Sequence, residues 1–385
     1  MKTNRLIDAI GLLWKGLTGS ATRAARAALY CTLIALAAGA VCSCSKDSTT
    51  PEWEWEEPNI PDPDTDDGTK PRFIWIDASA NFPDFADSRD NIRRDLTLAK
   101  NAGFTHVVVD VRPPSGDVLF TTSKVAQVQW LGAWVGGAYT KITRTATWDY
   151  LQAFIDIGHE LKLKVYAGFN TFVGGNYNAL GGNGLLYRDA TKKAWATQLL
   201  TASGIVNMMD NPATTDAKFF NPANDQVQEF IIGLLEDLAA YPDLDGIILD
   251  RARFHELDSD FSNETRTKFE THLGSAVSNF PDDVMRYDIS TGSLPTALPT
   301  HFKQWLEFRA KVIHDFMEKT RERIKARNPD IRFGAYVGGW YSTYYGVGVN
   351  WASPTYNTAA AYPAWASADY KNYGYADLMD VMLIG

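Results

Sequence analysis

The sequence predicts an α/β chain, a (β/α)8 TIM barrel of which about six strands fall within these 385 residues. Two observations carry that expectation. From Arg72 onward, strand-like and helix-like patterns alternate, the sequence sign of a parallel sheet. Connections from helix to strand are short: Gly103-Phe104, Lys162-Leu163, Tyr241 to Leu244 and Asn328 to Asp330. Connections leaving the strands, residues 113–147, 171–224, 251–301 and 338–379, run several times the usual length of roughly two to six residues. Length gathered at one end marks a barrel whose site is built from loops at the C-terminal ends of its strands. A doubly wound open sheet would show a Gly-rich phosphate turn after its first strand, where Asp77-Ala78-Ser79 stands.

The elements follow in order. Strands are expected at Phe73 to Asp77, His106 to Arg112, Lys164 to Asn170, Asp245 to Asp250, Ile331 to Val337 and Asp380 to Ile384. A helix over Asp87 to Ala102 places Ile92, Leu96 and Ala99 on one face and stops at Gly103. The next, Trp148 to Leu161, starts behind Thr147 as N-cap. Asp225 to Leu238 repeats Val227, Ile231, Leu234, Leu235 and Leu238, and Phe302 to Arg327 repeats Phe302, Leu306, Ile313, Met317 and Ile324 until Asn328-Pro329 ends it. Gly181-Gly182-Asn183-Gly184 lacks the Lys-Ser/Thr of a phosphate loop and reads as a flexible loop tip.

The chemistry concentrates at strand exits. The apolar run Ile247-Ile248-Leu249 delivers Asp250, Arg251 and Arg253 to the end of the fourth strand. Alternation puts Gly246, Ile248 and Asp250 on one face, and on the second strand puts Asp110 and Arg112 together. Asp77 ends the first strand and Asn170 the third, so four successive strands present polar groups at one end. A structural salt bridge is the plain alternative for Asp250, since such pairs also perturb carboxylates.

The first 44 residues read as a leader. Lys2, Arg5, Lys15, Arg23 and Arg26 precede an apolar run from Ala27 to Val41, too short to span a membrane. It ends at Cys42-Ser43-Cys44 and resembles a bacterial lipoprotein signal, with Cys44 as first choice for lipidation and Cys42 as second. Residues 45–70 are acidic and broken by Pro51, Pro58, Pro61 and Pro63, which reads as a solvated tether ahead of a domain at 71–385. The expected location is the bacterial outer membrane or cell surface. Removing residues 1–43 changes the net charge from −9 to −13, an acidic balance with no basic cluster that argues against nucleic acid.

From Tyr336 to Tyr375 there are twelve Tyr or Trp residues, among them Trp340, Tyr341, Tyr344, Tyr345, Trp351 and Trp365. Their flat apolar faces and polar rims suit sugar C–H surfaces, while some must pack the segment onto itself. The six His residues lack paired metal-ligand spacing and no G-x-S-x-G elbow appears, so no cofactor, metal or serine nucleophile is expected.

Several blocks, in order, resemble one family. They are Arg72 to Trp75; Lys100-Asn-Ala-Gly103 through Asp110-Val-Arg112-Pro113 to Gly116-Asp117; Trp148-Asp149-Tyr-Leu151 to Phe169-Asn170; Asn221-Pro222; Asp245-Gly246 to Phe254; and Ile324-Lys325 to Gly334. Over residues 71 to 385 the chain is similar to the bacterial glycosyl hydrolase-like proteins often called family 10 glycosylhydrolases. The resemblance implies a TIM barrel acting on a glycan, with Asp250 as leading catalytic residue. Such hydrolysis needs two carboxyl groups, one protonated and one ionised. Beside cationic Arg112, Arg251 and Arg253, Asp250 suits a nucleophile or base, and Asp110, Glu256 and Asp258 are the acids within the chain. Asp77, Arg112, Asn170, Arg251, Arg253, Glu256, Trp340 and Tyr341 are expected to hold the substrate. With six strands by Gly385, the remaining strands of the barrel are expected beyond it, and a residue there is the alternative to Asp110, Glu256 and Asp258 as the acid partner. A non-catalytic glycan-binding lipoprotein on the same barrel is the competing reading.

Overall fold

A computed structural model describes residues 70–211 and 216–385. The leader with Cys44, and the tether up to residue 69, lie outside the described residues. Six parallel strands pair in chain order: β1 (Phe73–Ile76), β2 (His106–Arg112), β3 (Lys164–Asn170), β4 (Gly246–Asp250), β5 (Arg332–Val337) and β6 (Val381–Ile384). Each strand expected from sequence is present within a residue of its predicted bounds. Six longer helices accompany them: α1 (Ala78–Phe85), α2 (Arg89–Asn101), α3 (Tyr150–Glu160), α4 (Asp225–Ala239), α5 (Asn263–Leu273) and α6 (Phe302–Arg327).

The sheet curls. Neighbouring strands sit ~4.8 Å apart, so β1 and β5 would be separated by about 19 Å on a flat sheet. Trp75 of β1 and Tyr336 of β5 instead have ring centroids 5.5 Å apart across the concave side. On that side Val108, Tyr166 and Ile248 pack with Phe73, Trp75, Val381 and Leu383. The convex face places Val107, Val109, Val165, Phe169, Ile247, Leu249, Phe333 and Ala335 against the apolar stripes of the helices, including Phe154, Ile231, Leu235 and Ile313. Burial on both faces explains the continuous apolar strand sequences, and each fully buried Leu or Ile contributes ~1.5–3 kcal/mol.

Local chemistry sets the helix ends. The side chains of Asp77, Ser88, Asp149, Asn224 and Ser262 accept from backbone N–H groups in the first turns of α1, α2, α3, α4 and α5. The cap of α3 is therefore Asp149 and not Thr147, because it is the Asp149 carboxylate that meets Gln152 N at 3.0 Å. A second apolar cluster joins α5 and the first half of α6 to the aromatic segment through Phe261, Phe269, Trp305, Phe308, Trp365 and Tyr370.

The long connections carry small sheets that were not foreseen. After β2 comes a hairpin, Trp130–Val135 paired with Ala138–Thr143, turned by Gly136 and Gly137 at φ 59° and 85°. After β3 come Val173–Asn178, Gly181–Asn183 and Asp216–Phe219 in one antiparallel sheet, and a further hairpin, Gln198–Thr201 with Gly204–Asn207. The expectation of a flexible tip at Gly181 to Gly184 is corrected: Gly181, Gly182 and Asn183 pair with Asn178, Tyr177 and Asn176.

Gly184 pins this sheet to the exit of β2. It sits at φ 112°, and a Cβ there would fall 2.1 Å from the carbonyl oxygen of Ser115. Gly181, at φ 89°, faces open space. Gly184→Ala is expected to cost more than the roughly 1–3 kcal/mol of backbone strain that Gly181→Ala also carries. Urea denaturation of the two variants checks this, and equal losses would show that the contact with Ser115 relaxes freely.

Candidate active site

At the C-terminal end of the concave face, Asp250 pairs in register with Asn170, and Asp110 lies opposite Gly168 on the intervening strand. Asn170 donates to both carboxylate oxygens of Asp110, at 3.3 and 3.4 Å, and to the carbonyl of Arg112 at 3.0 Å. Asp110 also accepts from the backbone N–H of Arg112 at 3.2 Å. It is 3% exposed. Burial first, then the negative charge of Asp77, push its carboxyl up to about 7; Asp250 adds to the rise, and the N–H groups of Arg112 and Ala78 oppose it.

Asp250 is also raised, by burial, with Arg251 and Arg253 pulling the other way. Its Oδ1 accepts from Arg251 N at 2.6 Å. Arg251 adopts φ 47°, the left-handed region that side chains avoid. The exit of β3 holds it there: Thr171 N donates to the Asp250 carbonyl at 2.8 Å and Phe172 N to the Arg251 carbonyl at 3.2 Å. Backbone strain retained by its surroundings is a feature of functional sites. One Arg251 guanidinium nitrogen is buried without a hydrogen-bond partner.

Arg112 does not join this set. The β2–β3 register shifts between Asp110 and Arg112, and the extra residue ends the alternation that would have kept both on one face. The Arg112 side chain is 0% exposed, 5.0 Å over the Phe169 ring, and donates to the carbonyls of Asn170 and Thr171. Burial pulls its pKa down to about 9, against the opposing charges of Asp117 and Asp110. A guanidinium with no exposed surface cannot hold a sugar hydroxyl, so its expected substrate contact is corrected to a role beneath Asn170.

The remaining expected residues separate. Asp77 is exposed at the end of β1, but one of its oxygens caps α1 through Ala80 N at 2.7 Å. Arg253 donates to the carbonyls of Phe254 and His255 and lies 4.9 Å from the Phe219 ring centroid, so much of it braces its own loop. Glu256 is exposed and reaches Arg253 at 3.8 Å, while Asp258 pairs with His255 at 3.3 Å. Of the acids considered within the chain, Asp110 alone occupies a dry position.

Among the aromatics, Trp340 is 61% exposed, with its ring 6.0 Å from that of Tyr344. Burial raises the pKa of Tyr344, and its hydroxyl accepts from Gly338 N at 2.9 Å, just past the end of β5. Tyr341 is corrected as a substrate contact: its hydroxyl meets Asn350 at 2.8 Å and Thr358 at 3.0 Å, and its ring packs on Trp351, Tyr356 and Tyr362. It knits the segment together. Tyr344 was named from sequence only as one of the aromatic run, and Trp75 and Tyr336 were not expected at the site. The alternation already available places Trp75 on the face of Asp77 and Tyr336 on the face of Gly334.

Residues 70–377 match the family described as glycosyl hydrolase-like 10. The chain belongs to that family. It is 32% identical over 327 residues to an S-layer-related protein of Niallia circulans, a match covering 81% of this chain and 20% of that protein. The chain thus spans about a fifth of the length of this relative. Among solved structures it is similar to the PgaB glycoside hydrolase domain of Bordetella bronchiseptica, at 14% identity and TM-score 0.47 over 75% of this chain and 71% of that one. It is also similar to a beta-galactosidase of Bacillus circulans, at 11% identity and TM-score 0.48 over 81% of this chain and 39% of that one.

The electrostatics of Asp110 set a stability test. With a carboxyl raised from 3.8 to about 7 on folding, the native state is progressively penalised as pH climbs between those values, and the penalty is constant above them. Asp110→Asn removes the ionisable group, so the variant should gain on the wild type from pH 4 to pH 8, by on the order of a few kcal/mol at most. Urea denaturation at both pH values measures the gain. A difference that does not change with pH would show that Asp110 is not held protonated.

Proposed function

We propose that this chain hydrolyses glycosidic bonds of an oligo- or polysaccharide, with Asp110 as general acid and Asp250 as nucleophile or general base. The observation that carries the reading is the unequal charge environment of two carboxyl groups at one strand end, Asp110 buried and Asp250 half-buried. Asp110, against Asp77 and without a cationic partner in the cleft, is held protonated to about 7. Asp250, beside Arg251 and Arg253, has its rise opposed. Burial raises both carboxyl groups, but Asp77 adds to the rise at Asp110 while Arg251 and Arg253 oppose it at Asp250, and an acid and a base at one pH need surroundings that differ in this way. Asn170 orients the Asp110 carboxyl, Trp75 shares the Gly168 neighbourhood with Asp110, and Tyr336 packs against Trp75, so these two rings offer a face for a sugar. Family membership supports the reaction class and with it a carbohydrate substrate.

The leader read in the sequence supports a lipid anchor at Cys44 and a domain held at the cell surface, in keeping with the S-layer-related name of the relative. Labelling with a radioactive fatty acid should mark the wild type and lose most of its signal in Cys44→Ala; unchanged labelling would shift the site to Cys42.

Reducing-sugar release from a glycan panel tests the reaction. Asp250→Asn removes a charge at nearly constant shape and should lower the rate on the order of a hundredfold or more. In the wild type, kcat/KM should fall as pH rises through about 7, where Asp110 loses its proton. Full activity in Asp250→Asn would show that the base lies elsewhere, and binding without hydrolysis in the wild type would favour a glycan-binding protein.

A further inference from the structure

The hairpin that follows β2 turns its aromatic side outward. Leu131 and Ala133 are buried, whereas Trp130, Trp134, Tyr139 and Lys141 share the opposite face. Trp134 is 75% exposed, the most of any large apolar side chain among the described residues, and lies across the ribbon from Tyr139 with ring centroids 5.6 Å apart. Tyr139 leans over Gly132, where a Cβ would fall 2.5 Å from its hydroxyl, so the glycine gives the ring a floor. The neighbouring sheet repeats the device. Tyr187 lies over Gly182 and Gly175, at 2.4 and 3.2 Å from the positions their Cβ atoms would take, with Tyr177, 49% exposed, 6.5 Å away. Asn178 donates to the Tyr139 hydroxyl at 3.1 Å and joins the two units.

Rings covering glycines explain Tyr139 and Tyr187 by packing alone. They do not explain Trp134 or Tyr177, whose exposure runs against burial. Single exposed aromatics are ordinary, but here they gather on adjoining ribbons. Lys141 shares the face of Trp134 and Tyr139, and Asn178 reaches the Tyr139 hydroxyl, so the rings are mixed with polar groups, which suits a sugar chain better than a protein core. The platform stands on the site: Leu185 N donates to the Ser115 carbonyl at 3.1 Å, and Ser115 lies five residues past Asp110.

We propose that Trp134, Tyr139, Tyr177 and Tyr187 form a binding platform for sugar units of a polymeric glycan, beyond the units flanking Asp110 and Asp250. The inference rests on the glycosidase reading for its choice of ligand, and it makes the substrate a chain several sugars long. Native gels cast with barley β-glucan, galactan, glycol chitin or hyaluronan test it with the full chain, alongside Leu98→Ala as a control, since Leu98 is 61% exposed on α2. The wild type and the control should be retarded by at least one polymer, and Trp134→Ala should need about fivefold more polymer for equal retardation, with an unchanged melting temperature. Equal retardation of Trp134→Ala and wild type, or no retardation by any polymer, would overturn the platform. So would a wild-type dimer in size-exclusion chromatography that Trp134→Ala dissolves, because the face would then be a contact between copies. Retardation lost in Trp134→Ala, in a wild type that releases no reducing sugar, would leave the platform standing and remove the hydrolase reading.

Discussion

One irregularity in the β2–β3 pairing organises this site. Without the shifted register between Asp110 and Arg112, the two side chains would point into the same space and the guanidinium would hold the carboxyl ionised. The bulge sends Arg112 beneath the strand ends, where it bonds the carbonyls of Asn170 and Thr171 and supports the residue that bonds Asp110. A local change of one residue thus separates a cation that braces the backbone from a carboxyl whose proton affinity is raised. Arg112 bears the cost of a buried charge, offset in part by Phe169, Asp117 and the two carbonyls it meets.

The same strand ends treat Asp250 differently. Its neighbour Arg251 is forced to a left-handed backbone by hydrogen bonds from Thr171 and Phe172, which keep the chain close to β3 as it leaves the sheet. The turn leaves the Arg251 charge near enough to oppose the rise of Asp250 without an ion pair that would consume it. Asp110 and Asp250 therefore differ less in burial than in which charge stands beside them. Curling of the sheet makes that comparison local: it brings Trp75 and Tyr336, four strands apart, into contact over a shared floor.

Much of this was legible in the sequence, and the parts that were not share a cause. Parallel strands buried on both faces leave apolar runs that read directly, and the four helices with a strong stripe were placed to within two residues. Helix α1 was missed because eight residues holding Pro83 offer little period, and α5 because it buries only Thr265 and Phe269. The hairpins were missed because their strands are short and two of them are mostly glycine and asparagine. Alternation assigned Asp77, Asp110, Asn170 and Asp250 to one end, yet it failed two residues past Asp110, since a bulge leaves no mark in residue type.

The aromatic residues show where composition stops and geometry begins. Twelve Tyr and Trp residues between Tyr336 and Tyr375 suggested a cleft wall, but Tyr341, Trp365 and Tyr370 are used to pack the segment against α6 and itself. Tyr336 and Trp340, by contrast, lie at the exit of β5, where Trp340 is exposed over Gly338. A tight cluster of rings needs an interior to fill, and the second apolar cluster supplies it. Trp134 and Tyr177 lie in a stretch whose composition is unremarkable, on ribbons with one packed face and one wet face. Such a ribbon can expose an aromatic without losing its core, because burial is already satisfied by Leu131 and Ala133 on its other side. Exposure, and not abundance, therefore separates rings that hold the protein together from rings free to meet a ligand.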